Sequence, residues 1–406
     1  MTSADSAERP DGPLVVDLDA EHDRYHRQNL ISWWDQERLA SATVLVAGAG
    51  ALGNELVKNL VLIGVGRILV VDMDSIENSN LSRCVFFRPG DDGRMKAEVL
   101  AERAAELNPE VEIIPVVGDI RLAVGLSVFD EVDVVLGGLD NREARMFINQ
   151  ACWKTSTPWV DGAIEGLMGV ARVFVPPHSA CYECTLGERD YELMAARKTC
   201  ALLSRDEMLG GRVPTTATSG SVIAAIEVQE AVKLLHEDRL ESAGFAGRGF
   251  QFVGISHDSY VVQYPRDENC LSHDTYSLDD AESIDPAQPL GELLNRVIED
   301  LGDGAVVEFE HELAVSGHCA ACGASESINR PVDALTAGAG LCPSCGEQWR
   351  IEFAHSVGAG SELAKFTAAD LGLPPSDVLV GRAGLERKFF KLTGGRSALK
   401  SLAAQE

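Results

Sequence analysis

The 406-residue chain contains no run of 18 or more apolar residues, so no transmembrane helix is expected. It also lacks an apolar N-terminal segment. "MTSADSAERPDGPLVVDLDAEHD" is polar and acidic, unlike a signal peptide, and residues 1–20 read as a disordered acidic tail. Basic charge is in short supply: Lys and Arg number 35 against 63 Asp and Glu, a formal net charge of -28. Such a surface repels a nucleic-acid backbone, so DNA and RNA are excluded as expected partners. No internal repeat of fold-defining length is present. The expectation is a cytoplasmic protein with neither a nucleic-acid nor a membrane partner.

Cysteine, in contrast, is plentiful, with ten residues. Most fall in C-x-x-C or C-x-x-H patterns, which in a cytosolic chain point to metal rather than disulfides. Cys181-Tyr182-Glu183-Cys184 sets two thiolates three residues apart, where both can face one ion. Cys319-Ala320-Ala321-Cys322 and Cys342-Pro343-Ser344-Cys345 have the separation of a zinc ribbon. Each of these pairs is followed by a glycine, Gly323 or Gly346, that lets backbone N–H groups turn toward the sulfurs. A redox dithiol is the alternative for either pair alone, and two pairs at ribbon spacing argue against it.

A hydrophobic share of 45% supports a sizeable core. Strand-like runs at 44–47, 67–72, 111–117 and 132–137 alternate with helical patterns at 52–63, 95–107 and 141–155. That alternation predicts a parallel sheet with crossover helices. Further β-like runs lie at 158–163 and 168–175, and the apolar spacing from Pro214 to His236 predicts a long helix. After about Cys270 the composition turns polar. The segment 274–312 reads as a linker with a short helix at 290–301, followed by a ribbon over 313–350 and a C-terminal region over 351–406 with a strand pair. Gly394-Gly395 is internal and reads as a turn.

"VLVAGAGALGNEL" joins the first strand to the first long helix. In a dinucleotide fold Gly48 permits the tight turn, Gly50 lets N–H groups approach phosphate, and Gly53 lets helix and strand pack closely. Asp72, at the end of "RILVVD", is the acidic residue expected on a ribose. A nicotinamide oxidoreductase is the default reading of these residues alone. Asp74, Asn78, Asn80, Arg83 and Lys96 then follow, and Asp140 and Asn141 stand at the C-terminal end of another strand. Arg27, Arg83 and Lys96 supply three cations for a polyphosphate, and Asp140 can hold Mg²⁺ or cap the next helix. A nicotinamide enzyme needs none of these.

Taken together, "RYHRQ", "GAGALG", "VDMDSIENSNLSR", "MKAE", "GGLDN" and "CYEC" resemble the E1-like adenylating enzymes, the ThiF/MoeB/HesA group related to ubiquitin-activating enzymes. The resemblance covers roughly residues 21–273. It implies an α/β fold, a Rossmann-like, doubly wound and mostly parallel sheet with a zinc-clamped antiparallel extension. The C-terminal zinc ribbon is an addition to it. It implies ATP-dependent adenylation of the C-terminal glycine of a ubiquitin-like or sulfur-carrier protein ending in Gly-Gly. It also implies a homodimer in which Arg27 reaches the neighbouring subunit's site. The cofactors implied are ATP, Mg²⁺ and Zn²⁺.

On the same resemblance, a second C-x-x-C is due downstream of Cys181 and Cys184. The matching place holds Cys270 and His273, a Cys₃His set. Cys200, in "RKTC", matches a loop cysteine that captures the activated acyl group in some branches. Arg197, Lys198 and Arg205 would favour its thiolate. Cys84 departs from the family, which has Gln there, and it and Cys152 read as structural. Catalytic roles thus fall to Arg27, Arg83, Lys96, Asp140 and Cys200. Nucleotide contacts fall to Gly48, Gly50, Gly53, Asp72, Asp74, Asn80, Arg83, Lys96, Asp140 and Asn141. A non-catalytic scaffold is the remaining alternative, and the intact ATP motifs speak against it.

Overall fold

The computed structural model describes residues 23–188, 190, 191, 214–240, 245–336 and 338–403. Four strands form where the apolar runs predict them: β1 (Thr43–Ala47), β2 (Arg67–Asp72), β3 (Glu112–Val117) and β4 (Val134–Gly137). Three helices alternate with them: α2 (Ala51–Ile63), α3 (Lys96–Leu107) and α6 (Arg142–Thr155). Shorter helices are α1 (Gln36–Ser41), α4 (Ile120–Ala123) and α5 (Leu126–Glu131). The chain continues into β5 (Trp159–Glu165), β6 (Met168–Phe174), α7 (Ala217–Leu235), β7 (Arg248–Val253) and β8 (Asp258–Gln263).

These strands make one eight-stranded sheet in the order β3-β2-β1-β4-β5-β6-β7-β8. The first five are parallel and the last three antiparallel. Every residue of β1 is buried, because helices cover both faces. Val44 and Val46 face a core shared with α2, α3 and α7. Leu45 and Ala47 face the opposite core, shared with α5 and α6. Neighbouring β2 and β4 are reached by crossovers of opposite direction, so a crevice opens beyond the carboxyl ends of β1 and β4.

The expected linker is not one. Residues 274–312 contain β9 (Glu282–Ser283), the helix α8 (Leu290–Leu301) and the start of β10 (Val306–His318). α8 lies where its apolar spacing predicts, burying Leu290, Leu293, Leu294 and Val297 along one stripe. With β11 (Ser325–Pro331), β12 (Arg350–Val357), β13 (Val378–Ala383) and β14 (Glu386–Lys391), these strands form a second sheet of six strands. The ribbon is therefore an outgrowth of β10, β11 and β12 rather than a bead on a linker. β13 and β14 are the predicted strand pair, paired antiparallel. Gly394 and Gly395 take positive φ of 57° and 75°, as a turn requires.

The two sheets share a core. In β13, Leu379 packs with α8, while Val378 and Val380 pack with α5 and α6 of the first unit. The last helix, α9 (Ala398–Ala403), adds Ala398, Leu399 and Leu402 to that side. Polar contacts follow the same seam. The Leu126 N–H donates to Asp377 Oδ1 (3.0 Å), Lys391 donates to Asp130 (2.6 Å), and Glu131 accepts from the Ala398 N–H (2.7 Å). Among the described residues no helix is long and apolar enough to cross a membrane.

Candidate active site

β1 feeds directly into the glycine turn, and Gly50 is the N-cap of α2. Gly48 has φ 99°, and a Cβ there would lie 2.7 Å from the Gly138 carbonyl oxygen. A Cβ on Gly53 would lie 1.8 Å from the Gly48 carbonyl oxygen. Both positions are closed to side chains by the packing of turn, helix and the end of β4. Gly50 differs, since a Cβ there would meet nothing within 4 Å. That side of the helix N-terminus is open, as the approach of a polyphosphate requires.

A buried side chain that sequence patterns missed holds the turn together. Asn54 Nδ2 donates to the carbonyls of Ala49 (2.8 Å) and Gly50 (3.1 Å), and Asn54 Oδ1 accepts from the Phe86 N–H (3.0 Å). It thereby ties the glycine turn to the segment that carries Arg83. The signal available in the sequence was an amide on an otherwise apolar helix face, four residues after Gly50.

Asp72, at the end of β2, accepts from the N–H groups of Ala49 and Asp74, both at 2.7 Å. Its carboxylate thereby braces the turn, one oxygen on each N–H group, with lone pairs to spare. Burial raises its pKa, opposed by Lys96 and the two N–H groups. Lys96 opens α3 with its ammonium 3.0 Å from Asp74 Oδ2. Burial pulls the Lys96 pKa down, Asp72 and Asp74 more than offset this, and the net shift is upward. Lys96 is thus a cation at neutral pH. Arg83 is half-buried and donates to the Ser79 carbonyl (2.7 Å). Asn80 is buried, and its Oδ1 accepts from the Glu77 N–H (2.9 Å). That bond fixes the Asn80 side chain in the local turn and leaves its second lone pair and its amide donors for further contacts.

At the end of β4 the Gly138 N–H donates to the Ala47 carbonyl (2.8 Å), which joins this loop to the glycine turn. Asn141 caps α6, accepting from the Ala144 N–H at 2.7 Å. The capping role weighed for Asp140 therefore belongs to Asn141, whose Oδ1 closes the first turn of the helix. The Asp140 carboxylate is left exposed at the crevice. A hard oxygen donor beside an open helix N-terminus, with Lys96 and Arg83 on the same sheet edge, is a donor set that fits Mg²⁺ with a polyphosphate. A cavity of about 720 Å³, lined by Lys58, Arg88 and Arg103 among others, includes none of these residues.

Arg27 is exposed and is not brought to its own chain's turn. Its segment docks at the C-terminal ends of α2 and α3. Arg24 donates to the Leu107 carbonyl (2.8 Å), Asn108 donates to the Tyr25 hydroxyl (2.7 Å), and Tyr25 lies against Gly64. The 13 residues of α2 separate that end from the glycine turn by about 20 Å. Cys200, with Arg197, Lys198 and Arg205, lies outside the described residues. Cys84 and Cys152 are buried, and burial pushes the Cys84 thiol up to about 11, so neither is a ready thiolate.

Both cysteine groups assemble. Cys181 lies 3.6 Å from Cys184 and 3.6 Å from Cys270, sulfur to sulfur, and Cys184 lies 3.4 Å from His273 Nε2. Cys319 pairs with Cys345 at 3.5 Å and Cys322 with Cys342 at 3.7 Å. Tetrahedral zinc with bonds of ~2.3 Å sets sulfurs about 3.8 Å apart, so both groups fit the ion. Gly323 and Gly346 have φ 75° and 78°, and their N–H groups close the knuckles onto the carbonyls of Cys319 and Cys342. α6 supports the first group from behind. Asn149 Oδ1 accepts from the Tyr182 N–H (2.8 Å), and Trp153 stacks on His273 with centroids 4.8 Å apart.

The description of the ThiF family matches residues 23–272. The SAMP-activating enzyme E1 of Haloferax volcanii is 31% identical over 282 residues, which is 67% of this chain and 96% of that one. Ubiquitin-like modifier-activating enzyme 5 of Arabidopsis thaliana is 29% identical over 217 residues, 49% of this chain. The chain spans 48% of that relative's length. Among solved structures, E. coli MccB with ATP superposes with a TM-score of 0.52 at 22% identity, covering 62% of this chain and 74% of that one. That last likeness is one of fold.

Proposed function

The chain belongs to the ThiF family of E1-like enzymes, and on that premise we propose that it uses ATP to adenylate the C-terminal carboxylate of a small ubiquitin-like or sulfur-carrier protein. The observation that carries this reading is the sheet edge at β1 and β4. There an open helix N-terminus at Gly50 lies beside the exposed Asp140. The partner's carboxylate is already ionised at pH 7 and needs no general base. It attacks the α-phosphorus of ATP, the bond to the bridging oxygen breaks, and pyrophosphate leaves. Catalysis is positioning and charge stabilisation. The N–H groups at the start of α2 hold phosphate oxygens, and Lys96 and Arg83 offset the repulsion between carboxylate and polyphosphate. Asp140 would hold Mg²⁺, which supplies further neutralisation of that charge.

Arg27 completes this picture in a homodimer. Its distance from its own glycine turn supports its use by the neighbouring subunit. Cys200 is the proposed acceptor of the activated acyl group, and the two zinc ions are structural.

Pyrophosphate exchange into ATP, dependent on the small protein and on Mg²⁺, tests the reading. Asp140→Ala is expected to abolish exchange with an unchanged melting curve, and normal exchange by this variant would remove Asp140 from the site. Cys200→Ala is expected to retain exchange and lose any thiol-reversible adduct with the partner. An adduct that survives the change places the acceptor elsewhere.

A further inference from the structure

The loop that presents Asp140 is backed by a buried charge cluster that no site motif contains. Arg145, on the first turns of α6, is 7% exposed. Its Nε donates to Asp161 Oδ1 (2.7 Å), and its Nη2 donates to the carbonyls of Leu139 (2.6 Å) and Gly162 (3.0 Å). Leu139 is the residue immediately before Asp140. Asp161 is fully buried in β5, and its second oxygen accepts from Arg172 Nε (3.0 Å). Glu227 of α7 lies over the adjacent Gly162, fully buried and without a hydrogen-bond partner among the described residues.

Burying the Arg145 guanidinium, with the half-buried Arg172 on the same carboxylate, is costly unless it does something water cannot. Arg172 serves β6 and the ring of Tyr182, 5.0 Å away. Arg145 alone of the two bonds the catalytic-edge loop among the described residues. The loop then has three fixed points: the Gly138 N–H on β1, the Leu139 carbonyl on Arg145, and the Asn141 side chain on α6. Asp140 is the one residue between them left facing outward.

We infer that Arg145 is a positioning residue that fixes the Leu139–Asp140 turn so that the Asp140 carboxylate meets Mg²⁺ without rearrangement. The inference rests on the assignment of Asp140 to the adenylation site. A guanidinium is required because its planar fork reaches three acceptors on two elements, and an ammonium cannot span them. Supporting partners of this kind change metal affinity or activity by roughly 10–100-fold when lost.

The test compares R145K with R172K, since both weaken the same buried Asp161. For R145K the Mg²⁺ concentration giving half-maximal pyrophosphate exchange is expected to rise about tenfold or more. R172K should stay within about twofold of wild type. Mn²⁺ binding in the presence of ATP, followed by its electron paramagnetic resonance signal, is expected to weaken in R145K and not in R172K. A double variant, R145M with D161N, removes one charge of each sign and guards against misfolding of R145K. It is expected to behave as R145K does. Equal metal dependence in R145K and R172K, or unchanged Mn²⁺ binding in both R145K and the double variant, overturns the inference. Absence of exchange in the wild type would instead count against the adenylation reading, while the Mn²⁺ comparison still decides the role of Arg145.

Discussion

Glu227 is fully buried with no hydrogen-bond partner among the described residues, and its chemistry makes a measurable demand. Burial, and next Asp161, hold its carboxyl well above the usual carboxylate range, while Arg145 and Arg172 pull the other way. The folded protein keeps a proton that the unfolded chain loses above about pH 4.3. Stability from this group is therefore present below that pH and falls as pH rises toward the folded-state value, by about 1.4 kcal/mol per unit. Glu227→Gln has the same shape and no titration. Its melting temperature is expected to match wild type near pH 4 and to exceed it progressively toward pH 7. A difference that does not vary with pH would mean that Glu227 is ionised in the fold. Residues such as Glu227, Arg145, Asp161 and Asn54 were not legible in the sequence, because each acts through a partner distant along the chain. The glycine turn and Asp140 were legible in their placement. A glycine spacing and the end of an apolar run are local signals that survive without knowledge of tertiary contacts.

Among the elements, α6 carries more of the arrangement than its length suggests. Its cap faces the crevice, Arg142 pairs with Asp190 (3.0 Å), Asn149 and Trp153 support the first cysteine group, and Lys154 pairs with Glu310 of the second sheet. The crevice and the first cysteine group are thus linked by one helix. Zinc analysis of the purified chain is expected to give two ions per chain. Cys319→Ser should lose one of them, while His273→Cys should keep both, since thiolate suits zinc at least as well as imidazole. One ion in the wild type, lost on changing Cys319, would leave the Cys181, Cys184, Cys270 and His273 group without a metal. The alternation that builds α6 and the parallel strands was readable from apolar periodicity. Of the second sheet only the β13–β14 pair was read; β10 carries a period-2 alternation of Val307, Phe309 and Leu313 with Glu308, Glu310 and Glu312 that went unread, and its register comes only from β11, β12 and β13.

At the scale of the whole molecule, the N-terminal segment and the crevice lie at opposite ends of α2, which gives the proposed homodimer a distinctive genetics. Arg27→Ala and Asp140→Ala subunits are each expected to be inactive alone. Mixed and allowed to exchange, half of the dimers are hybrids with one intact site, so about a quarter of wild-type activity should return. A mixture as inactive as its parents, with exchange confirmed by mass, would argue that each chain uses its own Arg27.

β13 has its own consequence at this scale. Its residues are buried alternately against α8 and against α5 and α6, so neither sheet can lose its order without stripping apolar cover from the other. The two sheets are therefore one cooperative unit in denaturation, and the backbone amides of β13 belong with those of β1 in the class that exchanges with solvent only through global opening. A chain cut after residue 273 would be an adenylation unit with its flank exposed, prone to stick to itself rather than to work alone.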